Sequence, residues 1–69
     1  MNGFKLSINN QDYFFKTDKK TKSSKLIKQV KEVLQADGNL TPSLAFTLRD
    51  RLQPATITDD FNGKIVDLD

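Results

Sequence analysis

Lys16, Lys19, Lys20, Lys22, Lys25, Lys28 and Lys31 fall within sixteen consecutive positions, and Asp18 is the only acid among them, so the segment carries +6. The last sixteen residues carry Asp59, Asp60, Asp67 and Asp69 against Lys64, or −3. A net charge of +2 therefore hides a lopsided chain. Ammonium groups at this density attract phosphates or an acidic protein face through a local field that salt screens. On a helix, Lys25, Lys28 and Lys31 stand about one turn, roughly 5 Å, apart. Lys19, Lys20 and Lys22 extend that ridge. Arginine is missing from the segment, and bidentate reading of base edges favours Arg, Asn or Gln. The two arginines, Arg49 and Arg51, lie elsewhere in the sequence. The expectation is an anionic partner, nucleic acid first and an acidic protein surface second. The contact is mostly nonspecific: the six lysines 19, 20, 22, 25, 28 and 31 supply the field, and Arg49 or Arg51 any specificity.

Other chemistry is sparse. The chain has no His and no Cys, which removes Cys–His and Ser–His–Asp nucleophilic systems and every His/Cys zinc site. Gly3, Gly38 and Gly63 are too far apart for a phosphate-binding glycine loop. Asp59 and Asp60 are adjacent, so on a strand they point to opposite faces and cannot flank one substrate. A chain this short has little room for a pocket of about 300 Å3 or more. No enzyme, no cofactor and no metal site is expected. Residues 58–69 resemble an EF-hand calcium loop at Asp60, Asn62, Gly63 and Ile65. Thr58 stands at its first position and Asp69 at its twelfth, and no helix follows, so a solvated hairpin is the preferred reading.

The elements that would position these residues follow from periodicity. Phe4, Leu6 and Ile8 alternate with Lys5 and Ser7, the pattern of a strand with one buried face. Tyr13, Phe14 and Phe15 read as a second strand. A two-residue Asn10-Gln11 loop would set Ile8 opposite Tyr13 and Leu6 opposite Phe15. Tyr13 and Phe15 then belong to the core. Phe14 points the other way, either exposed, and then a protein-interaction residue, or covered by a second element.

Ser23 or Ser24 caps a helix that starts near Lys25, with Leu26, Ile27, Val30, Val33 and Leu34 as its apolar stripe. Gly38 suits the left-handed position past its end. Thr41-Pro42 signals a second helix carrying Leu44, Leu48 and Leu52. Asn62-Gly63 between Thr56–Phe61 and Lys64–Leu68 is a hairpin signal. It pairs Ile57 with Leu68 and gathers Ile57, Phe61, Val66 and Leu68 on one face. The fold class is α+β, a single small domain over 1–69: ββααββ, with two hairpins in one antiparallel sheet and the helices packed on it. If residues 44–49 form a strand instead, the order is ββαβββ, close to a β-grasp arrangement.

The two helices around Asp37-Gly38-Asn39 also permit a helix-turn-helix that aims Thr47, Arg49 and Arg51 at base edges. No apolar run approaches the roughly 20 residues of a membrane span, helix 1 has no Trp or Phe on its apolar side, and residues 1–8 do not read as a signal peptide. A cytoplasmic location and no membrane partner are expected. The leading functional expectation is a small binding or regulatory domain with a lysine-rich face. The competing one is a protein–protein adaptor, in one form a homodimer, using an open sheet edge, Phe14 or the acidic C-terminal hairpin. High Lys and Asn content and compact size suit an accessory protein of a bacterium or its phage.

Overall fold

Residues 1–69 are described by a computed structural model. Strands β1 (Asn2–Ile8) and β2 (Gln11–Lys16) form an antiparallel hairpin. Its turn is Asn9-Asn10, and Asn9 adopts φ 52°, a left-handed value that Asn tolerates better than most residues. Leu6 therefore stands opposite Tyr13 and Phe4 opposite Phe15, two residues away from the register expected of an Asn10-Gln11 loop. Because side chains alternate with period two, a shift of two leaves every one on its expected face. Phe4, Leu6, Ile8, Tyr13 and Phe15 line one side of the sheet and are all buried.

Two helices cover that side. Helix α1 runs Ser24–Ala36, and its cap is Ser23, whose hydroxyl accepts the Leu26 N–H at 3.2 Å. It ends as its sequence dictates: Gly38 takes φ 74° and donates to the Gln35 carbonyl at 3.0 Å, and Asn39 donates to the Leu34 carbonyl at 2.9 Å. These are the paired bonds of a Schellman C-cap. Helix α2 runs Pro42–Arg51, with the Thr41 hydroxyl accepting the Leu44 N–H at 3.1 Å. Residues 44–49 are thus helical, and the ββαβββ alternative does not form. Leu26, Ile27, Val30 and Leu34 of α1 meet Leu44, Leu48 and Leu52 in one core with the sheet residues. As a strand, this segment would have turned Phe46 to the same side as Leu44 and Leu48. The helix turns it outward.

The expected C-terminal hairpin is also absent. Strand β3 (Gln53–Thr56) pairs antiparallel with β1, and β4 (Lys64–Asp67) pairs parallel with β2. The sheet is mixed, in the order β3-β1-β2-β4. Each C-terminal strand covers one edge of the first hairpin, whereas a second hairpin joined to the sheet would have covered one edge and left the other bare. The pairing continues past the strands: Ile57 N–H donates to the Met1 carbonyl, and Leu68 N–H to the Lys16 carbonyl, both at 2.9 Å. Residues 57–63 must then cross the sheet face away from the helices. Phe61 in this crossing lies over Phe14, ring centroids 6.1 Å apart, and Phe14 is fully buried. Covering by a second element is therefore the outcome for Phe14, and it presents no surface for a protein partner. Gly63 lets the crossing close, since a Cβ there would collide with the Asp12 carbonyl oxygen and the Phe61 ring. No helix is long and apolar enough to cross a membrane.

Candidate anion-binding surface

The seven clustered lysines divide by what the fold does with them. Lys16 sits 3.7 Å from Asp67 on the neighbouring strand. Lys22 turns its ammonium to the C-terminal end of α2 and donates to the carbonyls of Arg49 (2.7 Å) and Leu52 (3.0 Å). That end of a helix carries unsatisfied carbonyls and the negative end of the dipole, so a cation belongs there. The Arg49 guanidinium in turn donates to the Lys22 carbonyl. Arg51 donates to the Ser7 carbonyl at 3.2 Å. Of the eight basic residues first considered for the surface, three thus hold the chain to itself.

The loop that carries Lys19 and Lys20 is anchored at its start. The buried Thr17 hydroxyl donates to the Asp69 carboxylate at 3.0 Å, as does the Asp18 N–H. Those two bonds, and after them the charges of Lys19 and Lys16, hold the Asp69 carboxyl below its ordinary range. The acidic end of the chain therefore folds against the basic loop within one molecule and offsets part of its field. Lys19 and Lys20 also rim a surface concavity of about 340 Å3 bounded by Asn2, Thr17 and Pro54–Thr56, with no carboxylate in its lining.

What remains free is the outer row of α1. Lys25 and Lys28 are exposed and Lys31 half-buried on the flank of the helix. The two ion pairs of the fold are Lys16–Asp67 and Lys64–Asp37, so Lys20, Lys25, Lys28 and Lys31 all lack a carboxylate partner. The arrangement follows from the core: Leu26, Ile27, Val30 and Leu34 are drawn inward, which leaves Lys25, Lys28 and the acid Glu32 facing solvent and Lys31 on the flank.

The helix-turn-helix reading finds its side chains otherwise engaged. Thr47 donates to the Ser43 carbonyl at 3.1 Å, and Arg49 and Arg51 bond backbone elsewhere, as above. The outward residue of α2 is Phe46, 91% exposed, a surface residue that is not among those expected from the sequence. The signal was present: if Leu44 and Leu48 face the core, a residue two positions on is turned about 200° away.

Carboxylates do not gather. No cluster of three or more is placed to hold a metal ion. In the stretch resembling a calcium loop, Lys64–Asp67 is paired as a strand, Asp60 accepts from the Thr58 hydroxyl, and Asp69 is turned to Thr17 and Asp18. A second polar cluster is structural in character. Tyr13, 1% exposed, donates its hydroxyl proton to Asp37 (2.9 Å) and accepts from the Asn39 amide (2.6 Å), while Lys64 reaches the same Asp37 oxygen at 2.8 Å. It ties β2, the end of α1 and β4 together.

No known protein family, no curated protein and no solved structure matches the chain.

Proposed function

We propose that this domain is a small non-enzymatic binding module whose helical layer attracts the backbone of a nucleic acid. Lys25, Lys28 and Lys31 on α1, with Lys19 and Lys20 in the loop before it, supply the field. Lys22 and Arg49, engaged with each other's backbone, position the loop instead of contacting the partner. The single observation that carries this reading is the row of lysines on α1 with no carboxylate partner, in a fold that has paired or bonded Lys16, Lys22 and Lys64. An unpaired cationic row gives affinity without sequence preference, because phosphates are the same at every step.

The test is a titration of labelled mixed-sequence single- and double-stranded nucleic acid at two salt concentrations. Five lysines at phosphates give log K against log salt a slope of roughly −3.5 for single strands and −4.5 for duplex. Lys25→Glu/Lys28→Glu, at exposed positions, should abolish binding and keep the thermal midpoint. No binding at low salt, or a double variant that binds as well as the parent, overturns the proposal.

A further inference from the structure

Phe46 is 91% exposed, against 40% for Ile65 and 38% for Met1, the other large apolar side chains at the surface. Its position explains this. Leu44 and Leu48 of α2 point into the core, and Phe46 lies almost opposite them on the helix. Both helices pack on the same side of the sheet, so Phe46 and the free lysines of α1 stand on one outer surface. Packed helix axes lie about 8–10 Å apart, within reach of a single extended ligand.

The surroundings of Phe46 decide what it can receive. Its neighbours one turn away, Pro42, Ser43, Arg49 and Asp50, offer no second large apolar side chain. A partner helix needs a stripe of several anchors, and here one ring stands alone. An open ring in the same helical layer as unpaired ammonium groups matches an unstacked nucleobase flanked by phosphates. Duplex nucleic acid keeps its base faces stacked inside and cannot use such a ring.

We propose that Phe46 is a stacking platform for a base of single-stranded nucleic acid whose phosphates follow Lys25, Lys28 and Lys31. This rests on the polyanion reading above and narrows it to single strands.

The experiment compares an unstructured single-stranded oligonucleotide with a duplex of the same length, at one fixed salt, for the parent and for Phe46→Ala, Phe46→Tyr and Phe46→Trp. Phe46→Ala should lower single-strand affinity about tenfold and leave duplex affinity unchanged, with Phe46→Tyr close to the parent. The natural chain contains no Trp, so the emission of Phe46→Trp reports this site alone and should be quenched by the single strand. The proposal is overturned if Phe46→Ala binds single strands like the parent, or if it weakens both ligands equally. It is also overturned if the parent shows a concentration-dependent mass that Phe46→Ala abolishes, since a second copy then covers the ring. Loss of binding in Lys25→Glu/Lys28→Glu with no effect of Phe46→Ala removes the stacking alone. Failure of the parent to bind either nucleic acid removes both readings.

Discussion

Lys22 and Arg49 each bond the other's backbone: the ammonium of Lys22 donates to the Arg49 carbonyl and the guanidinium of Arg49 to the Lys22 carbonyl. This reciprocal contact fastens the loop before α1 to the end of α2. Lys22→Met keeps the aliphatic stem and removes the donors, leaving the last carbonyls of α2 to water. It should cost about 1–2 kcal/mol of stability, from lost hydrogen bonds and the helix-end charge. Affinity for nucleic acid should change far less than in Lys25→Glu/Lys28→Glu. Urea midpoints and the salt titration, run on the same variants, measure the two effects. A Lys22→Met protein as stable as the parent but unable to bind would reverse the assignment.

Phe14 and Phe46 have the same side chain and opposite fates. Phe14 is fully buried under the 57–63 crossing and Phe46 is 91% exposed. Phe14→Ala should cost about 3–5 kcal/mol, a large share of what so small a domain has, and Phe46→Ala less than about 0.5 kcal/mol. Denaturant midpoints decide this. Equal losses at the two positions would mean that residues 57–63 do not cover the sheet.

How much of this fold was legible in the sequence depends on how far each signal reaches. Ser23, Thr41-Pro42 and Gly38 act within one helical turn, and each does in the fold what its residue type implies. The alternation of Phe4, Leu6 and Ile8 told which side of the first hairpin is buried, and a register error of two residues did not alter that. Asn62-Gly63 misled, because a local turn preference competed with two free sheet edges far away in sequence. In the fold those edges are taken by β3 and β4, with Gly3 opposite Ala55 and Phe14 opposite Ile65. The candidate site divides the same way. The lysine cluster is visible in the sequence. Which of its members stay free depends on Arg49, Leu52, Asp67 and Asp69, and so on tertiary contacts that no local pattern carries.

Gly63 separates the crossing from the hairpin directly. In a hairpin turn its need is for positive φ. In the fold observed, its φ is ordinary and the need is for space beside the Asp12 carbonyl and the Phe61 ring. Gly63→Ala should therefore destabilise by about 1–3 kcal/mol through overpacking. Asn62→Ala should be nearly neutral, whereas a two-residue Asn-Gly turn would make Asn62 costly as well. Amide spectra of Gly63→Ala should show shifts at Asp12 and Phe14 on β2. Shifts confined to residues 57–68 would restore the hairpin.

The Tyr13–Asp37–Lys64 cluster gives the domain a defined response to pH. Hydrogen bonds from Lys64 and then Tyr13 hold the Asp37 carboxyl below its ordinary value of 3.8. A carboxyl depressed in the fold stabilises it when ionised. That contribution is complete above the ordinary value and is lost as pH falls through the folded one. Asp69, depressed by the Asp18 N–H and the Thr17 hydroxyl, acts in the same direction. On the alkaline side the signs reverse. Lys64 is raised above 10.5 by its bond to Asp37, and Tyr13 above 10.0 chiefly by burial, with Asn39 opposing and Asp37 reinforcing the rise. Their contributions are complete below those ordinary values and disappear as pH rises through the folded ones. Stability should therefore be flat from about pH 5 to 9 and fall on both sides. Asp37→Asn should be less stable than the parent at neutral pH, and the gap should close as pH falls from about 4 through the depressed folded value, below which the parent's carboxyl is itself neutral. Urea midpoints across that range measure the gap. A difference that stays constant down to the acid limit would mean that the shape of the Asp37 side chain, and not its charge, holds the cluster together.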